Sequence, residues 1–103
     1  MIVTVFRSRL LPGVGEEYLP LAECMTKLAV AMPSYISHKG FFADDGERVT
    51  IVEFESRETL RAWRLHPEHV EAQRQGRLRF YSEYKVTTCE VLYQSAFTRE
   101  NAT

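Results

Sequence analysis

Between residues 63 and 69 the chain reads Trp-Arg-Leu-His-Pro-Glu-His, which sets its only tryptophan beside two of its three histidines. An imidazole titrates near neutrality and can take or give a proton there. An indole offers a flat, polarisable face against which an aromatic molecule can stack. Gathered beside a sheet, these groups are the material of a small-molecule pocket. If residues 67–80 are helical, His66, His69, Gln73, Gly76 and Phe80 fall along or beside one face, next to Val70. That face holds less Leu and Ile than a helix sealing a packed sheet would carry. Either it lines a cavity, where His and Gln meet a ligand, or His66 and His69 decorate a solvated helix end near Pro67. Trp63, at helical spacing from Leu60, fits core packing or a substrate wall. Tyr81 and Tyr84 could offer phenol donors to a ligand or leave their hydroxyls in water. His38 has no acidic or cysteine neighbour at useful spacing and reads as structural.

Other chemistries find less support. His66 and His69 stand at a usable metal-ligand spacing, yet no third ligand accompanies them and no Cys-x-x-Cys occurs, so no metal is expected. The Gly-rich phosphate loops and the nucleophile elbow are absent as motifs, so no nucleotide or flavin is expected. Arg64, Arg74, Arg77 and Arg79 are interleaved with Glu68, Glu71 and Glu83, the pattern of a solvated helical face.

The elements that must position these groups follow from periodicity. Residues 2–9 alternate as a strand and Pro12-Gly13 ends them. Apolar residues from Val14 to Met32 (Tyr18, Leu21, Met25, Leu28 and Ala29 among them) recur at spacings of three and four, a helix that Pro33 stops. Tyr35–Phe42 and Arg48–Glu55 read as strands joined by Asp44-Asp45-Gly46, a hairpin signal because the turn needs positive φ. Ser56 suits a helix N-cap with Thr59 at the capping-box position, and Pro67 suits the first turn of a further helical segment reaching about Phe80. A long final strand is expected over 83–97, with a frayed polar tail over 98–103. The order βαββαβ is the α+β ferredoxin-like arrangement, an antiparallel sheet with its helices on one face.

The chain has 103 residues, room for one domain, here residues 1–97. A net charge of −1 disfavours nucleic-acid and anionic-membrane partners. No apolar run approaches the roughly 18 residues that span a bilayer. No signal-peptide pattern opens the chain, so a cytoplasmic setting is expected, with Cys24 and Cys89 as two buried thiols rather than a disulfide. The sheet poses a physical problem. Its first strand sets Ile2 and Phe6 on one face and Val3 and Val5 on the other, and the third sets Val49 and Ile51 opposite Val52 and Phe54. A solvated face would not be apolar. A second copy packed sheet to sheet is the economical cover, so a homodimer is expected.

Taken in order, the Pro-Gly turn after the opening strand, the long helix, the hairpin, Phe54-Glu55-Ser56 and Leu60-x-Ala62-Trp63 resemble the antibiotic biosynthesis monooxygenase family of dimeric α+β barrels. The resemblance covers nearly the whole chain. It implies a dimeric α+β barrel and an oxygenase that works without a cofactor on a small aromatic or quinol-like molecule. The haem-degrading members carry an Asn on the first strand, a Trp, and a His ten residues later. Trp63 matches, but Gln73 stands where that His belongs and Phe6 where the Asn belongs, so haem degradation is not expected. Within the oxygenase reading, His69 with His66 would supply the base. Trp63 and Phe6 would wall the substrate, Gln73 would line the site, and Tyr81 and Tyr84 would donate to it. A non-catalytic ligand-binding dimer or a cofactor-free isomerase would use the same pocket.

Overall fold

The computed structural model describes residues 1–99. Strand β1 (Ile2–Leu10) leads through the turn at Gly13, where φ is +79°, into α1 (Gly15–Ala31). Strands β2 (Tyr35–Phe42) and β3 (Arg48–Phe54) form the expected hairpin. Its tip closes with Ala43 N–H donating to Glu47 O at 2.8 Å and with Gly46 at φ +89°. Helices α2 (Arg57–Arg64) and α3 (Pro67–Gln75) follow, then a π-helical turn (Gly76–Phe80) and β4 (Tyr81–Glu90). The four strands are antiparallel in the order β2-β3-β1-β4, the α+β ferredoxin-like topology, with the connection from β3 to β4 made by the two helical segments read at Ser56 and Pro67.

Register assigns the faces. Ile2, Thr4, Phe6 and Ser8 of β1 share a face with Phe54, Val52, Thr50 and Arg48 of β3 and with Glu90, Thr88, Val86 and Tyr84 of β4. Phe54 packs there with Ala29 of α1 and Trp63 of α2, so this inner face meets the helices. Met25, Leu28 and Met32, from the stripe that the helical spacing marked in the sequence, close the same cluster together with Leu60 of α2. The outer face carries Val3, Val5, Val49, Ile51 and Phe41, and no element among the described residues covers it.

Two expectations need correction. The final strand begins two residues earlier than 83 and stops at Glu90 rather than 97. Its partner decides this: Glu90 pairs with Ile2, and beyond it only Val91 N–H reaches Met1 O, at 3.1 Å. With β1 exhausted there is no ladder left to join. Leu92, Tyr93 and Phe97 then extend with most of their surface open. The tail expected over 98–103 lies, from residue 100 on, outside the described residues. The cysteines are not buried in the single chain either: Cys24 and Cys89 are free and exposed. Cys24 falls off the apolar stripe of α1, and Cys89 sits on the uncovered outer face opposite Val3.

Candidate functional site

The helical layer over the sheet is built from three local decisions. Ser56 accepts from Thr59 N–H and Thr59 Oγ1 accepts from Ser56 N–H, a reciprocal cap that fixes where α2 starts. Helix α2 stops at Leu65 because Pro67 follows closely. Helix α3 then starts with Pro67 in its first turn and His66 as its N-cap, the Nδ1 of His66 accepting from Glu68 N–H at 3.2 Å. His66 is thereby turned to the backbone of its own helix.

That tight α2–α3 corner brings His69 onto Trp63. The two rings stack 4.1 Å apart and 13° from parallel, with Trp63 buried to 8% exposure. His69 Nδ1 lies 3.1 Å from the Trp63 carbonyl oxygen. A carbonyl can only accept, so Nδ1 carries the proton and Nε2 keeps its lone pair. Burial is the main cause that pushes the His69 pKa below its ordinary 6.5, with the charge of His66 adding to it against the bond to Trp63 O. At neutral pH His69 is a neutral imidazole whose Nε2 makes no hydrogen bond among the described residues. Those are the properties of a general base. Gln73, one turn on, is half-buried on the same strip of α3.

The second group assembles at the other end of the inner face. Phe6 lies 5.6 Å, ring centre to ring centre, from both Tyr81 and Tyr84, which are themselves 5.5 Å apart. The Tyr81 hydroxyl bonds that of Tyr18 on α1 at 2.8 Å. Burial first, and the Tyr18 phenol second, push the Tyr81 pKa well above the usual phenol value of 10, so it remains a protonated donor. Tyr84 accepts from the Arg77 guanidinium at 3.2 Å. Tyr81 owes its position to the π-helical turn before it, where Tyr81 N–H donates to Gly76 O. Gly76 is needed there, because an added Cβ would stand 2.5 Å from Tyr81 Cε2. Gly76→Ala is expected to swing the Tyr81 ring away and break the Tyr18–Tyr81 bond, at a cost of about 1–3 kcal/mol. A melting curve gives the cost, and the Tyr81 ring-proton shifts by NMR report the displacement.

Between the two groups runs a polar strip. Thr4 Oγ1 is buried on the inner face with no hydrogen-bond partner among the described residues. Its cross-strand neighbours are Val52 and Thr88. Thr88 also lines an open groove of about 360 Å³ between β4 and α2, floored by Ile2 and Leu60 and walled by Arg57, Arg61 and Arg64. A second, apolar groove of about 350 Å³ lies between α1 and α3, beside Met25 and Ala72.

Of the residues the sequence singled out, the structure joins Trp63 with His69, and Phe6 with Tyr81 and Tyr84. It does not bring the two groups into direct contact, and neither lines the two open grooves. His38, read as structural, bonds the Tyr35 hydroxyl at 2.6 Å. The arginine wall of α2 was missed. Its signal is the spacing of Arg57, Arg61 and Arg64, at i, i+4 and i+7, which puts all three on one ridge beside Leu60. Among the described residues no cluster of three or more His, Cys, Asp or Glu is placed to hold a metal ion. No helix there is long and apolar enough to cross a membrane.

An antiparallel four-stranded sheet with its helices on one face defines an α+β ferredoxin-like protein, and the aromatic and imidazole groups between the layers are its candidate site. No family model matches the chain. The uncharacterized protein YqjZ of Bacillus subtilis is 32% identical over 85 residues, 82% of this chain and 71% of that protein. A Deinococcus radiodurans structure assigned by name to the antibiotic biosynthesis monooxygenases superposes with a TM-score of 0.84 at 8% identity, covering 96% of this chain and all of that one. SnoaB of Streptomyces nogalater, a cofactor-independent oxygenase solved as a point mutant, superposes with a TM-score of 0.77 at 13% identity, covering 90% and 94%. The chain belongs to the same family as YqjZ, and it has the fold of the antibiotic biosynthesis monooxygenase structures.

Proposed function

We propose that the protein is a homodimeric, cofactor-independent monooxygenase acting on a small aromatic or quinol-like molecule. The observation that carries the reading is the Trp63–His69 stack, with Nδ1 tied to a carbonyl and Nε2 free. In this reading Nε2 takes a proton from the substrate, and the resulting anion supplies the electrons that reduce O₂. At a methylene activated by a phenolic ring, a C–O bond forms to give a hydroperoxide, which loses water to leave C=O. One oxygen atom ends in the product and the other in water, so the substrate is the only reductant required. Trp63 and Phe6 serve as walls, and Tyr81 and Tyr84 as donors to the developing oxyanion. Gln73 lines the site, and His66 holds the N-terminus of α3 so that His69 keeps its place. The test is oxygen uptake with a panel of quinols and anthrones, wild type against His69→Ala.

Dimerisation is supported by the apolar outer face and by the exposed arm 91–99, which suit a second copy packed sheet to sheet. Sedimentation is expected at twice the mass of one chain, and Ile51→Asp on the outer face is expected to return it to one. A single-chain mass for the wild type at micromolar concentration would remove the dimer from the proposal. Two free thiols support a reducing, cytoplasmic setting.

One observation favours a second reading, a non-catalytic ligand-binding dimer: His69 borders neither open groove. Ligand-induced thermal stabilisation with no oxygen uptake would identify it. A cofactor-free isomerase would convert its substrate with no oxygen consumed.

A further inference from the structure

We propose that the groove between α2 and β4 binds the carboxylate of an aromatic acid, with Arg61 and Arg64 as the anion-binding pair. This rests on reading the inter-layer space as the substrate site, and it narrows the substrate to an acid.

The inference begins with an uneven distribution of partners. Arg7, Arg9, Arg57, Arg74 and Arg79 each hold a carboxylate oxygen within 3.4 Å. Arg48 lies over the rings of Tyr18 and Phe42, and Arg77 bonds the Tyr84 hydroxyl. Arg61 and Arg64 have no acidic partner among the described residues, and both wall the groove. Arg57 completes the ridge, but Glu90 holds it at 2.6 Å across the groove. Three guanidinium groups on one ridge repel one another. The dipole of α2 favours a cation in its last turn, which accounts for the presence of Arg61 and Arg64 there but not for their facing Thr88 and Ile2.

The rest of the groove matches the rest of such a ligand. Ile2 and Leu60 give an apolar floor, and Thr88 gives a hydroxyl. The volume, about 360 Å³, suits a molecule of two or three fused rings. Thr4, the cross-strand partner of Thr88, does not itself line the groove, but its buried hydroxyl has unused bonding capacity. A carboxylate on the guanidinium forks would set the ring system over Ile2, pointing inward along the inner face toward Thr4.

The test is calorimetric titration of the full chain with 2-naphthoate and with 2-naphthamide, its uncharged counterpart, at pH 7 and low salt. The acid is expected to bind about tenfold more tightly, the magnitude of one charge-assisted hydrogen bond at a partly exposed site. Arg61→Gln with Arg64→Gln should abolish that preference. Arg61→Lys with Arg64→Lys should keep part of it. Glu90→Gln, which frees Arg57 without removing a cation, should tighten the acid further, so the inference does not depend on a loss alone. Equal binding of acid and amide, binding of neither, or a preference unmoved by the glutamine pair would overturn it. Oxygen uptake with 1,4-dihydroxy-2-naphthoate and with 1,4-dihydroxynaphthalene separates this from the oxygenase reading. If the oxygenase reading fails, neither quinol is consumed above its spontaneous rate, yet naphthoate still outbinds naphthamide. If only the acid inference fails, both quinols are consumed with equal kcat/KM.

Discussion

Replacing His69 with alanine is expected to lower oxygen uptake by about 10²–10⁴-fold, the usual contribution of a positioned proton acceptor. The fold should survive, because α3 keeps its N-cap at His66 and its buried Ala72. Added imidazole should restore part of the rate, since the space vacated against Trp63 has the shape of that ring. Retention of full turnover by the alanine variant would remove His69 from the chemistry. The pH profile carries the same assignment. His69 loses its proton below the ordinary 6.5, so the acid limb of kcat/KM should have its midpoint below that value. Stability moves in the same direction. Between pH 6.5 and the lower pKa of the folded state, the unfolded chain binds a proton at His69 and the folded chain does not. Acidification through that window therefore weakens the fold, and above about 6.5 the contribution is flat. In His69→Ala this part of the pH dependence of the melting temperature should vanish.

The layout of the layers was legible in the sequence because it is written in short-range patterns. The boundaries of β2, the Asp-Gly turn, the Ser56–Thr59 cap and the Pro67 start each depend on a few adjacent residues, and each is present as read. The apolar faces of α1 and of the sheet also follow from spacing alone. The end of β4 was not legible, because it is set by where β1 runs out, a partner at the opposite end of the chain. Neither was the exposure of Cys24 and Cys89, which depends on what covers each surface rather than on residue type.

The candidate site was half legible. Composition singled out Trp63 and His69, and only the α2–α3 corner could show that their rings stack. The role of His66 was hidden for the opposite reason. A histidine before proline looks like a displayed imidazole, whereas Nδ1 is spent on the Glu68 amide. Tyr18 went unmarked as a site residue because a tyrosine on an apolar helical stripe reads as core. Its hydroxyl partner Tyr81 is 63 positions on. The arginine ridge was passed over because counting charges along the chain blurs faces. Arg64 was averaged with glutamates that lie on α3 and β4, and Arg61 was not singled out.

Phe54→Ala is expected to cost about 3–5 kcal/mol, the range for truncating a fully buried aromatic core side chain. Phe54 is the one side chain of the described residues buried to 0% exposure and it stands under Ala29 and Trp63. It also meets Tyr35 edge-on at 6.1 Å, a contact that adds to the area it buries. Domains of this size have only about 5–15 kcal/mol in total. The variant should melt lower by about 4–8 °C for each kcal/mol lost, enough to leave it partly unfolded at 37 °C. Differential scanning calorimetry at fixed chain concentration measures this, the concentration being held because a dimer's melting point depends on it. Phe54→Leu keeps most of the volume and should cost less than about 1.5 kcal/mol. The pair of variants separates scaffold from chemistry. Trp63 rests on Phe54 and His69 rests on Trp63, so a loosened floor should reduce turnover in the folded leucine variant as well. A melting loss for Phe54→Ala below about 1 kcal/mol would mean that the helical layer is not seated on this side chain. The Trp63–His69 stack would then owe its geometry to the α2–α3 corner alone.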